Sequence, residues 1–161
     1  MAKPKPMPDG YHTTTPHLTV NGAEKAIEFY KNAFGAHEIM RMPGPGGKGL
    51  MHAEIKIGDS IIMLADEHPR MGERSPQSLG GCTGSIYLYV ENVDSVCAKA
   101  LAAGATARGP VSDMFWGDRV GRVADPFGQE WSIATHTEDL SNEEIGKRAQ
   151  AFMAKMSASG A

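Results

Sequence analysis

The sequence predicts an α+β fold: two tandem βαβββ modules forming a curved mixed sheet around a cavity, with one more helix at the C-terminus. Three observations carry this expectation. The first is an internal repeat, the signature of a duplicated unit. Residues 17–35 run His-Leu-Thr-Val-Asn-Gly, then Ala23, Ala26, Ile27, Tyr30 and Phe34 at helical spacing, then Gly35. Residues 87–105 run Tyr-Leu-Tyr-Val-Glu-Asn, then Val93, Val96, Cys97, Ala100 and Leu101 at helical spacing, then Gly104. Each reads as a short strand, an amphipathic helix, and a glycine that ends the helix in a left-handed cap. The second is constant spacing: Val20 and Val90 are 70 residues apart, Gly58 and Gly128 also 70, Gly35 and Gly104 69. The third is a pair of matching hairpin turns around Gly58 and Gly128; in the latter Asp125 starts the turn and Pro126 fixes φ.

The elements follow in order. Residues 1–12 are a Pro-rich, extended tail. The first module spans 13–66, with strands expected at His37–Met42, Met51–Ile57 and Ile61–Ala65 after its helix. The loop Gly44-Pro-Gly-Gly-Lys-Gly49 joins two of them; it lacks the Ser/Thr and the following helix of a phosphate-binding loop. Residues 67–84 are a polar, Gly-rich linker. The second module spans 85–137, with strands expected at Thr106–Val111, Arg119–Ala124 and Trp131–Thr135. Residues 138–161 hold the last helix. It opens with a capping box from Ser141 to Glu144, and Ile145, Ala149, Phe152, Met153 and Met156 form a stripe that packs on the body or on a second subunit.

Composition narrows the function. A chain of 161 residues with 41% hydrophobic and 22% charged residues is globular and of single-domain size. Its net charge is −3 and it has no basic run, which argues against nucleic acid or an anionic membrane as partner. Lys3 and Lys5 are not followed by an apolar signal region, and no apolar run approaches the roughly 20 residues needed to span a bilayer. Cys82 and Cys97 form no CxxC pair, so reduced, small apolar cysteines in a cytoplasm are expected.

Strand parity nominates the site. With Leu18 and Val20 toward the helix, His17 and Thr19 point the other way. With Ile86, Leu88 and Val90 toward the helix, Tyr87 and Tyr89 point inward. Along the third strand Met51, Ala53, Ile55 and Ile57 take one face, leaving His52, Glu54 and Lys56 on the other. In the last strand Glu130, Ser132 and Ala134 oppose Trp131, Ile133 and Thr135. Phe115, Trp116, Asp118 and Arg119 stand together, either as a clamp in which Arg119 pairs an anion and Trp116 stacks, or as an internal ion pair. His12, His37, His68 and His136 are expected at the surface or termini.

By these residues the chain resembles the vicinal-oxygen-chelate superfamily, which includes glyoxalase I, extradiol dioxygenases and fosfomycin- and bleomycin-resistance proteins, and within it the PhnB-like branch. The stretches that carry the resemblance are 15–20, 26–35, 40–44, 51–55, 57–60, 63–66, 115–119 and 125–136, together covering roughly 11–138. The resemblance implies a metal held at four positions, which the repeat alignment places at His17, Ile62, Tyr87 and Ser132. Only His17 is a good ligand, and such a set does not hold a divalent ion.

The favoured reading is therefore a homodimeric, glyoxalase-like binding module for a small, partly aromatic ligand, with no cofactor. Tyr87, Tyr89, Trp116 and Trp131 would stack, and His17, Thr19, Arg119, Ser132, His52 and Glu54 would orient the ligand. The alternative is an enzyme (lyase, isomerase or dioxygenase) on a small carbonyl or aromatic metabolite. In it Glu54, its pKa raised by partial burial, is the base and His17 or His52 its partner; or His17, His52 and Glu54 hold a divalent metal as a facial triad.

Overall fold

The structure, a computed structural model, describes residues 4–159; residues 1–3 of the expected tail and the last two residues lie outside it. The first module runs β1 (His17–Val20), α1 (Ala23–Phe34), β2 (His37–Pro43), β3 (Leu50–Ile57) and β4 (Ser60–Asp66). The linker holds a 3-10 turn at Pro69–Met71 and one short α-helix, α2 (Pro76–Leu79). The second module runs β5 (Ser85–Tyr89), α3 (Val93–Ala102), β6 (Thr106–Ala107), β7 (Ser112–Asp113), β8 (Asp118–Ala124) and β9 (Glu130–His136), and α4 (Asn142–Ser159) follows. Of the expected Thr106–Val111 strand only Thr106–Ala107 forms, and a second short piece lies just beyond it at Ser112–Asp113, because Gly109 takes φ 144° and Pro110 has no N–H to give the ladder. Both pieces pair with β8.

The strands form two mixed sheets, β1-β4-β3-β2 and β5-β9-β8-β6 with β7 also on β8, and neither closes into a barrel. In each sheet the first strand runs parallel to the last, as a βα crossover requires, and the hairpin is antiparallel. The repeat shows in how each helix begins. Asp66 Oδ1 accepts the N–H groups of Gly22 (2.7 Å) and Ala23 (2.9 Å), and its Oδ2 accepts that of Leu50 (2.7 Å). Thr135 Oγ1 accepts the Val93 N–H and donates to the Val90 carbonyl, each at 2.9 Å. Each residue satisfies donors that the helix start leaves without partners.

Two register details differ from the expectation. A bulge between Met42 and Pro43 turns Met51 out to solvent and puts Leu50 in the core in its place. The β8–β9 turn is longer: Ile57 pairs Ser60 directly, whereas Ala124 pairs Glu130 and Asp125 N–H bonds the Gln129 carbonyl. Residues of β9 therefore correspond to those of β4 at a spacing of 69, Asp66 to Thr135 and Met63 to Ser132.

The modules meet through their helix sides. Helix α1 packs on α3, and Tyr30 and Phe34 of α1 lie 5.4 and 4.6 Å from the Trp131 ring of β9. Gly121 lets α3 approach β8, since a Cβ there would run into Cys97 Sγ. The faces opposite the helices are consequently turned away from the shared core, where they are free to meet a ligand or a partner.

Candidate functional site

The outward face of the second sheet is organised by one carboxylate. Asp118, at the start of β8, is 3% exposed. Its Oδ2 accepts from the Tyr89 hydroxyl (3.0 Å), the Trp116 indole N–H (3.1 Å) and the Tyr87 hydroxyl (3.2 Å). Its Oδ1 lies 2.7 Å from His136 Nδ1, and His136 Nε2 reaches Asp139 at 3.1 Å. Burial pushes the Asp118 carboxyl up, but the bonds from His136, Tyr89, Trp116 and Tyr87 outweigh it and hold the group below its ordinary value. The same contact with Asp118, helped by Asp139, raises the His136 pKa. Tyr87 and Tyr89 stay phenolic: burial chiefly raises the first and the hydrogen bond to Asp118 the second.

The two tyrosine rings sit 5.1 Å apart and remain 44% and 61% exposed while their hydroxyls are fixed. They wall a cavity of about 480 Å³ at the seam between the modules, whose other side is Thr14–Pro16 and the turn from Ile57 to Ile62. Register puts Tyr87, Ser132 and Arg122 in one row across β5, β9 and β8. Trp116 is braced through Phe115, which packs at 4.8 Å on it and at 5.4 Å on Phe152 of α4.

Two expected members do not join this face. Arg119 falls on the helix side of β8, opposite Thr135, and forks onto Asp94 at 2.8 and 2.9 Å with a third bond to Asp113 at 3.0 Å. It ties α3 to β7, as the internal-ion-pair reading supposed, with Asp94 and Asp113 rather than Asp118 as partners. Trp131 borders the cavity but is 1% exposed, and its indole donates to Asp125 Oδ2 at 3.0 Å. It is a core residue because β9 parity turns it toward α1.

The first sheet carries a separate group. His52 Nε2 lies 3.1 Å from Glu54 Oε1, and the His17 and His52 rings stack with centroids 6.4 Å apart. Tyr11 donates to Glu54 Oε2, drawing the N-terminal segment across this sheet. The Tyr11 and His52 bonds lower the Glu54 pKa despite partial burial, correcting the expected rise. His17 and Thr19 border a cleft of about 220 Å³ with Arg74, Cys82 and Gln129. Among the described residues no hydrogen bond or ring contact joins this group to the Asp118 cluster.

The metal that the resemblance implies does not fit these donors. By pairing, the residue beside His17 on its own face is Met63, not the buried Ile62; the longer β8–β9 turn makes an alignment on Gly58 and Gly128 slip by one residue. The corresponding set is then one imidazole, a thioether, a phenol already bonded to Asp118, and a hydroxyl. Both Glu54 oxygens are engaged by Tyr11 and His52, and no group of three or more His, Cys, Asp or Glu among the described residues is arranged to hold an ion.

Sequence reasoning missed Asp118 as the hub, and with it Tyr11, His136 and Arg122. Parity offered a signal for two of them. His136 lies two residues beyond Ala134 on the face opposite the helices, and Arg122 lies directly across from Ser132. Nothing in the sequence marks Tyr11, whose contact with Glu54 spans 43 residues.

Comparison with known proteins agrees with the architecture. The model of the Glyoxalase/Bleomycin resistance protein/Dioxygenase superfamily matches residues 11–133. An uncharacterized protein of Mycobacterium tuberculosis is 46% identical over 134 residues, 81% of this chain and 78% of that protein. The solved structure of a gene product of Arabidopsis thaliana, 25% identical, superposes with a TM-score of 0.62 over 77% of this chain and 98% of its own. FosX of Listeria monocytogenes, a fosfomycin resistance protein complexed with Mn(II) and sulfate, shares the fold at 16% identity and TM-score 0.61, over 83% and 95% of the two chains. With a duplicated βαβββ unit and a family match over both copies, the chain belongs to the glyoxalase/bleomycin resistance protein/dioxygenase superfamily.

Proposed function

We propose that this chain binds a small, partly aromatic molecule against the second sheet, without using a metal. The observation that carries the reading is the convergence of four side-chain donors on buried Asp118, which fixes Tyr87, Tyr89 and Trp116 while leaving the tyrosine rings open. Rings held in place before binding lose little rotamer freedom when a ligand stacks on them. The adjoining cavity of about 480 Å³ is of the size that takes a small metabolite. FosX carries Mn(II) on the same fold, but the donors described above give such an ion no comparable seat here.

Catalysis by Glu54, as a lyase, isomerase or dioxygenase base, is the second reading. It is favoured by a half-buried carboxylate kept ionised between Tyr11 and His52 and opposed by the same contacts, which make it a weak base. Exposed Met40, Met42, Phe152, Met153 and Met156 support a homodimer. Among the described residues no helix is long and apolar enough to cross a membrane.

Calorimetric titration with 2-naphthamide, a neutral aromatic probe, tests the main reading. One site per chain is expected, weakened about tenfold or more in Tyr87→Ala and Tyr89→Ala. Binding that is undiminished in both variants contradicts it.

A further inference from the structure

We infer that Arg122 is an anion subsite at the edge of the tyrosine face, so that the ligand is a small aromatic acid whose ring lies on Tyr87 and Tyr89. This rests on the binding reading above and narrows it to a chemical class.

Four other arginines are matched to carboxylates, Arg41 to Glu38, Arg108 to Glu130, Arg119 to Asp94 and Asp113, and Arg148 to Glu138 and Glu144, while Arg70 and Arg74 belong to the 67–84 linker. The Arg122 guanidinium, by contrast, makes no ion pair or hydrogen bond among the described residues. It is exposed on the face that carries Tyr87 and Ser132, and register places it two strands from Tyr87, about 10 Å between main chains. One aromatic ring plus a carboxylate spans most of that distance, and the long arginine side chain bridges the remainder. Its charge already reaches the Tyr87 hydroxyl, on which it acts to lower the pKa.

The surroundings leave that charge available. Glu130, one row away, is neutralised by two bonds from Arg108 at 2.9 and 3.1 Å. Asp118 lies four residues along β8 and is saturated by its four donors. Beside Arg122 opens a groove of about 220 Å³ bordered by Arg108, Gly109, Ser112, Met114 and Val120, with room for an acid group to approach the guanidinium edge-on. A planar guanidinium donates two parallel N–H bonds to a carboxylate, which fixes the ring's direction as well as its affinity. The face thus has a stacking end and a charged end, and a neutral aromatic would use only the first.

Titrations of 2-naphthoate and 2-naphthamide into the native chain, Arg122→Gln and Arg122→Lys test the assignment; Arg122 is exposed, so the variants should fold. The acid should bind about tenfold or more tightly than the amide. The preference should vanish in Arg122→Gln with amide binding intact, survive in part in Arg122→Lys, and shrink in high salt. Equal affinities in the native chain, or a preference that persists in Arg122→Gln, overturns the subsite and leaves the tyrosine face standing. Failure of both probes to bind overturns both.

Discussion

Asp118→Asn should loosen the tyrosine face and weaken binding of 2-naphthamide about tenfold, at a stability cost of about 2 kcal/mol, or about 5 °C of Tm for a chain this size. The amide matches the carboxylate in shape but offers a single acceptor oxygen and no charge. The Trp116 indole and the two tyrosine hydroxyls share one carboxylate oxygen and His136 uses the other, so no orientation of the amide serves all four. All four donor residues are at least partly exposed and can turn to water, which keeps the stability loss moderate while the ordering of the rings is lost. Near-ultraviolet circular dichroism should therefore fall more than the melting temperature suggests.

The same variant has a titration signature. The native Asp118 pKa lies below its unfolded value, so its contribution is present above that value and fades as pH falls through the folded pKa. The native His136 pKa lies above its unfolded value, so its contribution is complete in mild acid and fades as pH rises through the folded pKa. The pair is most stabilising between those two titrations. In Asp118→Asn the His136 pKa, followed by NMR, should drop toward the ordinary histidine value, keeping only the part due to Asp139. An unchanged His136 titration means that Asp118 does not hold the imidazole.

Asp125→Ala should be the most damaging single substitution, at about 3–5 kcal/mol and about 10 °C or more of Tm. Asp125 is 5% exposed at the β8–β9 turn. Its Oδ1 accepts the Phe127 and Gln129 N–H groups, each at 2.9 Å, and shapes the turn. Its Oδ2 accepts the Tyr30 hydroxyl at 2.8 Å and the Trp131 indole at 3.0 Å, tying the second module's hairpin to the first module's helix. Burial pushes this carboxyl up against the pull of those donors. Truncation strands buried donors from both modules at once. Asp125→Asn should fail nearly as badly, because its NH₂ would face an N–H donor whichever way the amide is turned. Tyr30→Phe removes one partner only and should cost about 1 kcal/mol. If denaturant unfolding finds Asp125→Asn as stable as the native chain, the carboxylate is not the lock between modules.

Much of the fold was legible because the duplication writes each constraint twice. Leu18 with Val20 and Ile86 with Leu88 give the same two-residue alternation, the first pair buried and the second partly buried toward a helix. The facing of Tyr87, Tyr89, His17, His52 and Glu54 follows from that alternation alone. What escaped depends on chain geometry that alternation does not encode. The β1–β4 register sets Met63, not Ile62, opposite His17, a step hidden by the extra length of the β8–β9 turn in the repeat alignment, and the Met42/Pro43 bulge exchanges Met51 for Leu50. Asp118 escaped because its four partners come from β5, β9 and its own approach loop, a convergence that exists only once the strands are side by side. Glu54 escaped in sign because Tyr11, far away in sequence, supplies the proton donor that outweighs burial.

Elemental mass spectrometry of untagged protein, before and after incubation with Zn²⁺, Ni²⁺, Mn²⁺ and Fe²⁺ and removal of free ion, tests the central claim of metal-independent binding most directly. The account predicts less than about a tenth of an ion per chain in every case, with 2-naphthamide affinity unchanged by the incubations. Close to one ion per chain, lost in His17→Ala or Glu54→Ala, would contradict it and move the functional centre to the first sheet.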